Sequence, residues 1–222
     1  MSNYFRRVPD FDYVNRNKDS QRISDYQTVK NLFKRGKIRE DIFNNLQFFE
    51  KYKIIGDDRP DNVALKVYDD PTLDWVVLLS NNILNIQTEW PLTQDSFENY
   101  LFEKYGSFQN INATKHYETV EVKNSNGIVI IPEGLIVDSN FSTSYFDSGL
   151  ERKVTVSNIT REVTNYQYEQ KLEDDKRNIF LLKPRYLTVV FRDLESIFKY
   201  KKGGAQYVSD TLKRGENIRL FH

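Results

Sequence analysis

The chain has 222 residues, 39% of them hydrophobic and 14% aromatic, with 32 basic residues balanced by 32 acidic ones. That length suits one or two domains, and the zero net charge argues against nucleic-acid binding by bulk attraction and against membrane attachment by charge. The absence of cysteine removes disulfide frameworks, thiolate nucleophiles and cysteine metal sites. No stretch approaches the ~20 apolar residues of a membrane span, and the opening MSNYFRRVPD lacks an apolar signal core.

Residues 1–23 carry no helical period, and Tyr4, Phe5, Phe11 and Tyr13 are spaced along an otherwise polar stretch. The segment reads either as a disordered terminus or as an extended arm whose aromatics dock on a neighbouring chain. After Ser24, the residues Tyr26, Val29, Leu32 and Phe33 fall on one helical face, which Gly36 interrupts; Ile38, Ile42, Leu46 and Phe49 continue a helical spacing. Lys30, Lys34, Arg35, Lys37 and Arg39 cluster here and read as a solvated face.

Tyr52 to Ile55 predicts a short strand, stopped by Gly56-Asp57. Asp58 is placed to cap a helix with Pro60 in its first turn and an apolar face of Val63, Ala64 and Val67, ending at Tyr68. Asp70-Pro71 predicts a second cap. Leu73, Trp75, Val76, Val77, Leu78 and Leu79 then make a helix apolar on nearly every side. Such a helix is buried all round, so other parts of the chain, or other chains, must cover it. Asn81-Asn82 ends it.

Beyond Trp90-Pro91, Thr93 caps a helix whose Phe97, Tyr100, Leu101 and Tyr105 share a face, closed by Gly106. His116 to Val122 reads as a strand and Asn126-Gly127 as a hairpin turn returning through Ile128 to Ile131. Asp138 to Gly149 reads as an exposed polar loop. Lys153 to Val156 and Thr164 to Lys171 are strand candidates; Glu173 to Lys176 is a charged turn before a strand over Arg177 to Leu182. Pro184 opens the strongest helix, with Leu187, Val190, Phe191, Leu194, Ile197 and Phe198 on one stripe, ended by Gly203-Gly204. That stripe is expected to be buried against another element. The tail from Ala205 to His222 is weakly amphipathic and ends on Leu220-Phe221. It is expected, like the arm, to become ordered on assembly.

The order strand, Gly-Asp turn, helix, turn, helix ending in Asn resembles the LysM module, on Tyr52, Gly56, Asp57, Val63, Ala64, Tyr68, Leu73, Leu79 and Asn81. The strand that closes such a module is missing at its usual place; GIVIIP occurs only at Gly127 to Pro132. RPDNVA, DWVVLLSNNI, EWPLTQDSF, KYGS with HYET, and KRNIFLLKPRYL follow one another in order, with NYF near the N-terminus. Together they resemble the LysM-bearing baseplate wedge proteins of contractile-tailed, T-even-like bacteriophages, from about Asn3 to Phe198. The resemblance implies a structural subunit, not an enzyme, that holds inner wedges together around the hub. It implies contacts with other wedge and hub-proximal proteins, and a place in the virion tail after assembly in the host cytoplasm.

The catalytic inventory is thin. His116 could be a general base, but a lone histidine in a strand is more often a packed or surface residue. No Ser-His-Asp order, HExxH, P-loop or GxGxxG is present. Asp57-Asp58, Asp69-Asp70 and Asp174-Asp175 fall where caps and turns need them. Trp75 could stack on a sugar, but amid apolar neighbours it reads as core or interface. No catalytic residue, cofactor or metal site is expected, no nucleic-acid or membrane partner, and no appreciable glycan affinity; the alternative is a peptidoglycan- or chitin-binding LysM module. The expected fold is α+β: an arm with helices over 1–50, a LysM-like βαα module with its following helix over 51–106, antiparallel hairpins and an amphipathic helix over 107–204, and a tail over 205–222. Partner contacts are expected at Tyr4, Phe5, Phe11, Tyr13, Trp75, Trp90, Phe191, Leu194 and Phe221.

Overall fold

The computed structural model describes residues 3–14 and 26–215, an α+β chain whose strand near residue 50 finds its partner near residue 180. Two units result: Met1–Trp90 with Asn178–His222, and Pro91–Arg177. These boundaries differ from divisions at 51, 107 and 205, because strand pairing joins segments distant in the chain.

The first unit opens with α1 (Tyr4–Arg7), β1 (Asp10–Val14) and β2 (Tyr26–Lys30). The described part of the predicted arm is therefore folded. Val8 is buried in the core, Tyr4 packs its ring 5.7 Å from Trp75 and 5.8 Å from Phe198, and β1 pairs antiparallel with β2 from Asp10↔Lys30 to Val14↔Tyr26. Residues 15–25, including Ser24, lie outside the described residues. The helix expected over Tyr26 to Phe33 is a strand and a turn: Thr28 and Val29 are β-branched, and β1 supplies the pairing they favour.

Ile38, Ile42 and Phe49 are core residues as their spacing suggested, but only α2 (Glu40–Phe43) is helical there. Strand β3 runs Phe49–Lys53, earlier than expected, and Ile54 is buried just past its end. Helix α3 (Pro60–Tyr68) buries Val63 and Ala64. Asp58 does not cap it: Arg59 stands at the N-cap, while the Asp58 carboxylate binds Lys66 and its carbonyl accepts the Trp90 indole N–H at 3.0 Å. Asp70 does cap the next turn, accepting from the Thr72 N–H at 2.9 Å ahead of α4 (Asp74–Ser80). Trp75, Val76 and Val77 of α4 are buried, Asn81 ends it, and α5 (Ile86–Glu89) follows.

The second unit begins with α6 (Gln94–Tyr105), capped by Thr93 and closed by Gly106 at φ 78°, a left-handed turn that glycine adopts without strain. Phe97 and Leu101 pack with Ile111 of α7 (Phe108–Ile111). Strand β4 (Thr114–Thr119) is followed by β5 (Val122–Lys123), β6 (Val129–Ile131) and β7 (Ile136–Val137). The Asn126-Gly127 turn joins β5 to β6 only. The strand expected to run on to Val122 stops at buried Thr119, whose backbone is taken by Leu135 and Gly134 (both 2.9 Å). The polar loop expected over Asp138 to Gly149 contains β8 (Thr143–Asp147), paired with β9 (Arg152–Val156).

Strand β10 (Thr160–Thr164) completes a β10-β4-β7 sheet. Thr164 to Lys171, read as a strand, starts α8 (Asn165–Lys176), and Glu173 to Lys176 is its last turn. The cause is a capping box: Thr164 Oγ1 accepts from the Gln167 N–H (3.2 Å) while Gln167 Oε1 accepts from the Thr164 N–H (3.1 Å).

The chain then returns to the first unit. Strand β11 (Asn178–Leu182) pairs antiparallel with β3, from Asn178↔Lys53 to Leu182↔Phe49. Ile179, Leu181 and Leu182 enter the same core cluster as Val76 and Val77, so the all-apolar α4 is covered within its own chain. A 3-10 turn at Pro184–Tyr186 leads into α9 (Leu187–Phe198), which buries Val190, Leu194 and Phe198 in this core but leaves Ile197 exposed. Finally β12 (Tyr207–Ser209) and β13 (Leu212–Arg214) form a hairpin, and β13 runs parallel to β1, giving the order β12-β13-β1-β2. The tail thus belongs to the fold as far as Gly215.

Candidate protein–protein interface

In the first unit, several large apolar side chains face outward around a single turn. Phe33 is fully exposed (102%), Leu32 is 70% exposed, and Phe5 58%. Leu32, Phe5, Leu84 and Ile86 border a groove of about 840 Å³ whose floor includes Tyr4 and Trp75.

The turn that carries Leu32 and Phe33 is anchored, not loose. The Asn31 N–H donates to the Pro9 carbonyl (2.8 Å), and the Asn31 amide donates to the Tyr200 hydroxyl (2.8 Å), which itself donates to the Asp10 carbonyl (3.1 Å). Asn31 Oδ1 accepts from the Phe33 N–H (3.2 Å). Lys34 turns inward and donates to the carbonyls of Ile197, Phe198 and Lys199 at 3.1–3.2 Å, satisfying the open end of α9. Burial and the nearby Lys213 hold the Lys34 ammonium below the ordinary lysine pKa. The turn is therefore preorganised, so docking would order little that is not already ordered.

Close packing fixes the groove wall. The Tyr4 hydroxyl accepts from the Gly36 N–H at 2.8 Å, and a Cβ at Gly36 would stand 2.5 Å from Leu194 Cδ2. Any larger residue there must push the Leu194 side chain aside.

The sequence-predicted partner residues divide. Leu194, Trp90 and Trp75 are buried in the first unit, which leaves them little area to offer a neighbour. Tyr4 is half-buried on the groove floor. Phe191 is half-buried under the Arg7 guanidinium, 4.6 Å from its ring centre, and beside Trp75. Phe11 is half-buried; Phe5 and Tyr13 are exposed; Phe221 lies outside the described residues. Leu32 and Phe33 were assigned to a helix face, so their outward position was missed. The signal was Asn31 followed by Leu32-Phe33 and then Lys34-Arg35-Gly36, a turn composition.

The buried polar groups of the second unit are bonded to neighbours within that unit. Glu169 accepts from Tyr105 (2.8 Å), Lys104 (2.9 Å) and Tyr100 (3.2 Å); burial works to raise its pKa, and these donors outweigh it. His116 stands 3.2 Å from Glu118, which also binds Arg161 at 3.2 Å, an ion-pair network rather than a nucleophile–base pair. Asp147 accepts from Ser125 twice and from the Gly149 and Leu150 N–H groups, and these bonds hold its pKa at about 2. Among the described residues no cluster of three metal-ligating side chains occurs, and no helix is long and apolar enough to cross a membrane.

Residues 5–134 match the family described as base plate wedge protein 53, well over half of the chain. The chain belongs to this family. The match begins in α1 and ends past β6, so it takes in the exposed turn and α3–α4 but not β11 or α9. No curated protein matches the chain. Membership makes it a structural subunit of a phage baseplate, located in the virion tail and assembled with other baseplate proteins.

Proposed function

We propose that this subunit serves a contractile, T-even-like tail, joining neighbouring wedges near the hub by protein contacts and catalysing nothing. The observation that carries this reading is the family match over residues 5–134; exposed apolar side chains on an anchored turn support it. Docking would draw on burial of apolar area, worth about 25 cal/mol per Å² before association costs. Phe5 and Tyr13 remain contact candidates by exposure. Assembly takes place in the host cytoplasm, where the other wedge proteins are made.

The module of β3, α3, α4 and β11 is LysM-like in this reading. Support comes from its strand–helix–helix–strand order and from the antiparallel β3–β11 pair, in which N-I-F-L-L-K-P stands where the closing strand was sought. Pro91–Arg177 is then an insertion before that strand. The module is turned to protein contacts rather than to glycan. An electron-microscopy reconstruction of the native tail tests the whole: density for this fold between adjacent wedges near the hub is expected, and a peripheral position or absence from the tail refutes it. Calorimetric titration with chitin oligomers is expected to give no binding heat; micromolar affinity would restore the glycan-binding alternative.

A further inference from the structure

Around the exposed turn lies a second feature that nothing above accounts for. The Tyr200 ring is buried between two ammonium groups, Lys34 at 4.6 Å and Lys213 at 5.3 Å from its centre. Lys199, Lys201 and Lys202, all exposed, flank it in the chain. Of the neighbouring cations, Lys30 pairs with Asp10, Lys37 with Glu40, and Arg39 with Asp41 and Asp193, while Arg35 donates to the Asn82 side chain. Lys199, Lys201, Lys202 and Lys213 pair with no carboxylate among the described residues. Beside them the Lys34 ammonium is held below its ordinary pKa by burial and, second, by the Lys213 charge.

Apolar and basic features thus share one surface. Lys34 follows Phe33 directly, and its ammonium sits on the last carbonyls of α9, at Ile197, Phe198 and Lys199. Asn31, which orients Phe33, is bonded to Tyr200 itself. A fully exposed aromatic on a fixed turn is the form an interface anchor takes, and anchors work when seated in a closed pocket with polar groups at the rim. The charge beside Tyr200 is predominantly basic, with Lys199, Lys201, Lys202 and Lys213 set against the exposed Asp210, whose carbonyl accepts from the Tyr200 N–H, so the complement is acidic.

We propose that Leu32 and Phe33 form a plug that seats in an apolar socket of a neighbouring baseplate protein, and that carboxylates on the socket's rim meet Lys199, Lys201, Lys202 and Lys213. This rests on the reading of the chain as a wedge subunit. A second copy of the chain fits less well, because it would bring lysines against lysines. The aromatic plug supplies affinity, and the lysines supply encounter rate and orientation.

The test uses full-length protein added to baseplate intermediates that lack it, with incorporation measured by quantitative gel after sedimentation. Phe33→Asp is expected to weaken incorporation roughly 10-fold or more, as loss of a central anchor does. Its melting temperature should not move, since the side chain touches solvent only. The triple variant K199E/K201E/K202E is expected to incorporate several-fold more weakly, and to lose the salt dependence that wild type shows. Phe33→Leu should recover part of the loss. A photo-crosslinking side chain at position 33 should label an apolar peptide bordered by Asp or Glu in another baseplate protein. Incorporation of both Phe33→Asp and the triple variant at wild-type level overturns the plug and leaves the wedge reading standing. Labelling of a second copy, or of a peptide without carboxylates, also overturns it. Failure of the wild-type protein itself to enter baseplates sinks the wedge reading and the plug with it.

Discussion

Replacing Asn81 by alanine should unfasten the closing strand of the first unit. Its side-chain amide donates to the Val77 carbonyl and to the Phe180 carbonyl, both at 2.9 Å, and its Oδ1 accepts from the Phe180 N–H at 2.8 Å. Phe180 lies opposite Lys51 in the β3–β11 ladder, and Asn81 takes both of its backbone polar groups. The residue therefore ends α4 and ties the edge of β11 to it. Alanine removes three hydrogen bonds, each worth about 1 kcal/mol net, and leaves two backbone groups short of partners at about 1–3 kcal/mol each if fully dry. Asn81 is only half-buried, so water restores part of the loss, and about 2–4 kcal/mol is expected. For a chain of this size that lowers the melting temperature by about 5–15 °C. Both tryptophans, Trp75 and Trp90, lie in the first unit, so their fluorescence reports its unfolding without interference from the second. A fluorescence-detected loss under about 0.5 kcal/mol, on the same denaturant slope as wild type, would refute the bridging role.

What the sequence revealed of this fold follows the range of each interaction. The helices α3, α4, α6 and α9 carry apolar residues at helical spacing, and for α6 both Thr93 and Gly106 mark the ends. Those signals act within a few residues and were legible. N-I-F-L-L was legible as a strand, but its partner was not, because Lys53 and Asn178 meet only in the folded chain. Short elements failed where two periods fit equally well. Tyr26 and Val29 stand three apart, as on a helix, yet β1 draws them into a strand. Tyr166 and Tyr168 alternate, as in a strand, yet the Thr164–Gln167 box starts a helix. The site was the least legible part. The inward turn of Leu194, Trp75 and Trp90 depends on long-range packing, and the outward turn of Leu32 and Phe33 depends on Asn31 meeting Pro9 and Tyr200. Aromatic content alone could not divide core from interface.

Two further perturbations address the second unit. Acid should destabilise it: Asp147, Glu118 and Glu169 all have folded pKa values lowered below their ordinary ones. Groups of this kind stabilise above the unfolded carboxylate range, and that contribution is lost as pH falls through their folded values. Its melting temperature by circular dichroism should hold near neutrality and drop between about pH 4.5 and pH 2; Asp147→Asn should lower the neutral value and flatten the acid decline, and an unchanged profile would contradict the assignment. The other perturbation removes the unit altogether, joining Trp90 to Asn178 through a short Gly/Ser linker. Near its two ends the second unit is tied to itself, since the Leu92 N–H donates to Glu173 Oε2 at 3.0 Å and Glu173 also binds Lys176. An insertion that holds its own ends together imposes on β11 a connection no longer in effect than a loop, and loop-closure entropy grows only slowly with length. The first unit keeps its whole apolar cluster without residues 91–177, for every member of it lies in Met1–Trp90 or Asn178–His222. The shortened chain is therefore expected to melt cooperatively by tryptophan fluorescence, within several degrees of the full-length protein. A chain that binds hydrophobic dye and shows no cooperative transition would mean that β3 and β11 pair only when the inserted unit is present, and that the division into two units is one of shape and not of stability.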